Sequence, residues 1–125
     1  MQLRESGQMY LETIYILSKE SNFVRAIDVG ERLEYSKPSV SRALGILRKN
    51  GYVTVDEDGG LTLTPSGQEV AESMYTRHTV LSNLLMRLGV DEKTATEDAC
   101  RIEHVISEQS FAAIQRHVKW VDQNR

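Results

Sequence analysis

A single cysteine, Cys100, rules out an intramolecular disulfide framework. The thiol is therefore a small buried hydrophobe, a reactive group or a metal ligand in a reducing compartment. Prolines are as scarce: only Pro38 and Pro65 are present, and both fall where a helix can begin. No apolar run approaches a membrane span, and the opening stretch MQLRESGQMY lacks the basic and apolar blocks of a signal peptide, so a cytoplasmic location is expected. Repeats and low-complexity tracts are also missing. A formal net charge of -3 over 125 residues excludes a bulk nucleic-acid coat, while 40% hydrophobic residues are enough for the core of one domain with a helical extension.

Charge is absent locally as well, and with a pattern. From Ser36 to Asn50 there is no acid but there are Lys37, Arg42, Arg48 and Lys49. From Gly51 to Tyr75 there are five acids and no Lys or Arg. A local basic surface is thus set against an acidic segment.

Periodicity predicts a mainly α chain. Tyr10, Ile14 and Leu17 suit a first helix from about Gly7 to Lys19 with Ser6 as N-cap. RAIDVGERLEY reads as a short second helix with Ile27, Val29 and Leu33 as its apolar positions. Ser36 caps a third, with Pro38 in its first turn and Val40, Leu44 and Leu47 facing the core. Tyr52, Val53 and Val55, then Leu61 and Leu63 across a Gly-rich turn, form a minimal hairpin. A long helix from about Pro65 to Leu88 stops at Gly89, another runs from Asp91 through His104, and Ser107 caps a last one reaching about Asp122.

Two helices joined by a tight EYSK turn, with a hairpin behind the second, make a winged helix-turn-helix at residues 1–70. A helical region follows at 71–125, the expected seat of metal binding and dimerisation on the donor residues and the resemblance set out below. The third helix fits a major groove: Arg42 is the residue suited to a guanine edge, and Ser36, Lys37, Pro38, Ser39 and Lys49 complete the DNA-facing set, with the serines and Lys37 suited to phosphate. Asp56, Glu57 and Asp58 at the wing tip would repel phosphate, so the wing is expected to add little affinity or to dock at a distance.

The stretch ACRIEH places Cys100, Glu103 and His104 on one face of a helix. Met9 and Glu12 stand at a similar offset on the first helix, and His78 lies on the long one. Thioether, thiol, carboxylate and imidazole donors together suit a borderline divalent ion, Fe(II), Co(II), Ni(II) or Zn(II), better than magnesium or calcium. Two other readings compete: Cys100 as an oxidation sensor with no second cysteine to resolve it, and a metalloenzyme, for which no nucleophile motif, phosphate loop or cofactor fingerprint is present. The chain is therefore not expected to be an enzyme.

MYLETIYIL at 9–17, SKPSVSRALGILRKNGYV at 36–53, LTLTPSGQEVA at 61–71, RH at 77–78 and EDACRIEHVIS at 97–107, in this order, resemble the metal-dependent repressors of the diphtheria toxin repressor family, including its manganese transport regulator branch. The resemblance implies a homodimer that binds a palindromic double-stranded operator when divalent metal sits between the first, long and fifth helices. Met9, Cys100, Glu103 and His104 match the iron branch's regulatory site, whereas Glu12 and His78 with Glu103 and His104 resemble the manganese branch. Sulfur at two positions favours Fe²⁺, with Mn²⁺ the alternative and Co²⁺, Ni²⁺ or Zn²⁺ as substitutes in vitro. The iron branch's ancillary site has a glutamate and a histidine where this chain has Ser82 and Thr96, and the SH3-like third domain of longer members is expected to be absent. Val80, Leu81, Leu84, Leu85, Leu88, Val105 and Ile106 are expected to divide between the core and a dimer interface.

Overall fold

The structure is a computed structural model that describes residues 3 and 5–124. Met1 and Arg125, the outer limits of the two expected regions, lie outside the described residues. The order of elements is α1 (Glu5–Glu20), α2 (Ala26–Leu33), α3 (Lys37–Lys49), β1 (Val53–Val55), β2 (Leu61–Leu63), α4 (Pro65–Arg87), α5 (Glu92–Val105) and α6 (Glu108–Gln123). The fold is mainly α, as expected, and among the described residues no helix is long and apolar enough to cross a membrane. Two compact units are present, Met1–Ser73 and Met74–Arg125.

The first unit is a winged helix-turn-helix built on Tyr10, Leu11 and Ile14 of α1, Val29 of α2, Val40, Leu44 and Leu47 of α3, and Val53 and Leu61 of the wing, all buried. Spacings of three and four set the α1 and α3 residues on one stripe of each helix. Two expectations need correcting. α1 already begins at Glu5, so Ser6 lies inside the first turn and is not the N-cap; the Glu5 carboxylate suits the positive end of the helix dipole there. Ile27 is half exposed while Val29 is fully buried. Two positions at about 100° each put Ile27 on the far side of the helix from Val29.

The turn between α2 and α3 closes through Glu34, which takes the left-handed conformation at φ 59°, and through the Tyr35 amide donating to Gly30 O at 3.0 Å. A side chain at Gly30 would press on Val40 and the Tyr35 carbonyl, so the glycine permits the two helices to approach. In the wing, Val53 pairs with Leu63 and Val55 with Leu61. Leu61 also donates to Val24 O at 2.7 Å, which ties the wing to the segment between α1 and α2. At the wing's base Thr64 donates to Gly51 O through its hydroxyl at 2.6 Å and to Tyr52 O through its amide at 3.0 Å, and its hydroxyl accepts from the Gly67 amide at 3.2 Å. This is an N-cap for α4, with Pro65 as the first helical residue.

The second unit has a small core: Leu81, Ala99 and Phe111, flanked by half-buried Val80, Ile102, Ile106 and Ile114. α4 ends one residue before the expected Leu88, and Gly89 at φ 103° lets the Val90 amide return to Leu85 O at 3.0 Å. Asp91 and Ser107 cap α5 and α6 by accepting from the Thr94 and Ser110 amides at 3.1 and 3.0 Å. Arg87 pairs with Asp122 at 3.0 Å, joining α4 to α6. Of the residues expected to divide between core and interface, Leu81 is buried, Val80, Leu84, Leu85 and Ile106 are half buried, and Leu88 and Val105 are exposed.

Candidate nucleic-acid interface and metal centre

α3 turns Val40, Leu44 and Leu47 inward and leaves Lys37, Pro38, Arg42, Arg48 and Lys49 exposed. Ser36 is more constrained than its expected phosphate role suggests. It is the N-cap: its Oγ accepts from the Ser39 amide at 3.4 Å and its hydroxyl donates to the Ser39 hydroxyl at 2.9 Å. The two serines thus fix the start of the helix, whose amides and positive dipole end are the features that receive phosphate. The wing tip also differs in detail from a simple repulsive patch. Asp56 is turned back on its own loop, Oδ1 accepting from the amides of Asp58 at 2.9 Å and Gly60 at 2.7 Å. One of the three wing acids is therefore spent on holding the turn.

On α5, Cys100, Glu103 and His104 present one donor atom each, all within 4.8 Å of one another. The Glu103 side chain is wholly buried, with Oε1 3.3 Å from His104 Nε2 and Oε2 2.9 Å from His78 Nδ1 on α4. A buried carboxylate is stable only when paired, and here two imidazoles and a thiol surround it. That donor set, one sulfur, one carboxylate and nitrogen, fits a borderline divalent transition ion. His78, expected in the ligand set, brings its Nδ1 to the second Glu103 carboxylate oxygen from α4. Met9 and Glu12 lie one turn apart on α1, in the first unit, Met9 half buried and Glu12 buried. Ser82 donates its hydroxyl to His78 O at 2.8 Å, within its own helix, and Thr96 is exposed.

Two residues, Arg77 of the RH pair and Tyr35 of the EYSK turn, make contacts that their sequence context does not announce. Arg77, buried, donates through one guanidinium nitrogen to Glu103 O at 3.1 Å and Ile106 O at 2.8 Å, and its cation lies 5.4 Å from the centre of the Phe111 ring. It satisfies carbonyls at the negative end of α5, immediately beside the donor cluster. Tyr35 donates its hydroxyl to Met9 Sδ at 3.7 Å and packs its ring on Tyr10, centroids 6.0 Å apart. Burial, and then the neighbouring Tyr35, push the Tyr10 phenol above its ordinary pKa. Local periodicity carries no signal for either side chain, since the partners of each lie 25 or more positions away. The one available hint was a basic residue, Arg77, on the inward stripe with Met74 and Leu81.

Two family models match the chain: "Iron dependent repressor, N-terminal DNA binding domain" over residues 2–61, and "Iron dependent repressor, metal binding and dimerisation domain" over residues 64–124. The regulator MntR of Lysinibacillus sphaericus is 33% identical over 119 residues, covering 95% of this chain and 86% of MntR. The diphtheria toxin repressor of Corynebacterium diphtheriae is 35% identical over 108 residues, 86% of this chain and 48% of that protein. The structure of the manganese regulator SloR superimposes with a TM-score of 0.81 at 26% identity, covering 96% of this chain and 55% of that one. The chain therefore spans about half the length of the diphtheria toxin repressor and of SloR, and most of MntR.

Proposed function

Because the chain belongs to the iron-dependent repressor family, the metal-dependent, DNA-binding transcriptional repressors that include the diphtheria toxin repressor and MntR, we propose that it is an Fe(II)-dependent repressor of metal-ion homeostasis genes. Mn(II) is the alternative effector. The observation that carries the reading is the cluster of Cys100, Glu103 and His104, donor atoms within 4.8 Å, in a chain that also bears a helix with an acid-free exposed basic face. Met9, Glu12 and His78 join the ligand set on the strength of the family resemblance. Sulfur from Cys100 and Met9 favours Fe(II) over the harder Mn(II), and Glu12 supplies the oxygen that Mn(II) would need.

When bound, a divalent ion would supply a fixed double positive charge, and Met9, Glu12, His78, Cys100, Glu103 and His104 are the side chains that would hold it. In the DNA-binding region, residues 1–70, Arg42 reads a guanine edge. Ser36, Lys37, Pro38, Ser39 and Lys49 fix the helix on the backbone. Residues 71–125 hold the metal and dimerise, with exposed Leu88 and Val105 in the interface. A two-fold dimer reads a palindrome in double-stranded DNA. The protein acts in the cytoplasm as a regulator and not as an enzyme. By linkage, each tenfold gain in operator affinity on metal binding is about 1.4 kcal/mol of coupling, and the operator tightens metal binding by the same factor.

Anaerobic selection from random duplex DNA, run with Fe(II), with Mn(II) and with chelator, tests this. A palindrome enriched only with metal supports the switch, and the more effective ion is the effector. Equal enrichment under chelator would refute it.

A further inference from the structure

We propose that Tyr35 is a positioning residue that latches the turn of the helix-turn-helix to the effector site through Met9, and that ligation of the Met9 sulfur releases the latch. The proposal rests on the reading above that Met9 is a metal ligand.

Tyr35 stands directly before Ser36, the N-cap of the recognition helix, and its amide closes the end of α2 on Gly30 O. Its conformation therefore belongs to the turn that aims α3. From that position the side chain crosses to α1: the ring lies against Tyr10 at a 56° angle and the hydroxyl donates to Met9 Sδ at 3.7 Å. One side chain thus connects the start of the DNA-reading helix to a sulfur in the candidate ligand set. Tyr35 is 45% exposed, so burial does not explain the contact, and the phenol has solvent to turn to when it leaves the sulfur.

The chemistry fixes the sign. A thioether sulfur is a weak acceptor whose strength depends on lone-pair density. Donation to a divalent cation draws that density away, so a ligated sulfur holds the phenol less well than an unligated one. The hydrogen bond accordingly favours the unligated state, and any contact that does so opposes metal binding and metal-induced operator binding by equal factors.

Tyr35→Phe keeps the ring on Tyr10 and removes only the hydroxyl. The probe is anaerobic titration with Co(II), read by its thiolate charge-transfer absorption without DNA. The variant is expected to bind Co(II) about two- to fivefold more tightly, the range set by one weak hydrogen bond. Its operator affinity under chelator should rise by a similar factor, so that the ratio of operator affinity with metal to that without metal falls. General damage to the fold would weaken metal binding and cannot produce this gain. In a Met9→Leu background the effect of Tyr35→Phe should vanish, as a double-mutant cycle requires. Unchanged or weaker Co(II) binding by Tyr35→Phe overturns the latch, as does a gain that persists in Met9→Leu. If Met9→Leu alone binds Co(II) as the parent does, what fails is the assignment of Met9 as a ligand, and the two failures are told apart.

Discussion

Gly67 is the residue whose replacement should cost most for its size. A Cβ built there overlaps the Tyr52 carbonyl oxygen, a backbone atom that no side-chain rotation can move aside. Relief requires the first turn of α4 to back away from the wing, which strains the two hydrogen bonds that cross that junction, Thr64 to Tyr52 O and Thr64 to Gly51 O, and the cap bond from Gly67 to Thr64. At roughly 0.5–1.5 kcal/mol net for each, Gly67→Ala should destabilise the protein by about 2–4 kcal/mol. Gly45 is the internal control. It is exposed inside α3 with nothing within 4 Å of its Cβ position, so Gly45→Ala should stabilise by about 0.5–1 kcal/mol through lower backbone entropy in the unfolded chain. Urea unfolding followed by circular dichroism measures both. A Gly67→Ala protein within 0.5 kcal/mol of the parent would refute the argument from close approach, as defined by the handful of bonds at that junction.

Arg42→Ala should cost about 1–3 kcal/mol in operator affinity and relax the preference at one base pair per half-site, whereas Lys49→Ala should weaken all sequences alike and reduce the salt dependence; footprinting and a salt titration separate the two. Arg77→Met should destabilise the second unit by about 2–4 kcal/mol, because two carbonyls lose their donor and the methionine can offer none; no change in thermal unfolding would argue against it. Asp91 titrates below the ordinary aspartate value, chiefly because its carboxylate accepts from the Thr94 backbone. A folded pKa below the unfolded one means the cap's contribution is complete at higher pH and withdrawn as pH falls through the lowered value. Asp91→Asn should therefore flatten that acid limb of the stability curve, and an unaltered limb would contradict the assignment.

Much of the winged helix-turn-helix was legible because its signals are local. Val40, Leu44 and Leu47 sit at helical spacing, Ser36 and Pro38 mark a start, and two short β-rich runs flank a glycine pair. Asp91 and Ser107 announce their helices in the same way. What stayed hidden depends on partners remote in sequence. Ile27 looked like a core residue until the helix's angular step was set against Val29. The Asp56 carboxylate looked like a free charge, but its own loop amides claim it. Cys100, Glu103 and His104 could be set on one helical face from spacing alone, but the approach of His78 to Glu103, 25 residues earlier in the chain, needed the fold. Arg77 and Tyr35 carry the same lesson, since nothing in the composition around them points to a helix terminus or a sulfur as partner.

The buried guanidinium of Arg77 also bears on how the second unit comes together in time. Its two oxygen acceptors lie 26 and 29 residues onward, and its aromatic cover comes later still, from Phe111. Until α5 has terminated and α6 has closed over it, the cation has no low-energy place out of water, and a half-assembled intermediate with Arg77 inside would carry an uncompensated charge. Partial assemblies of α4 with α5 alone are therefore unfavourable, and the unit should fold and melt in a single cooperative step despite its small core.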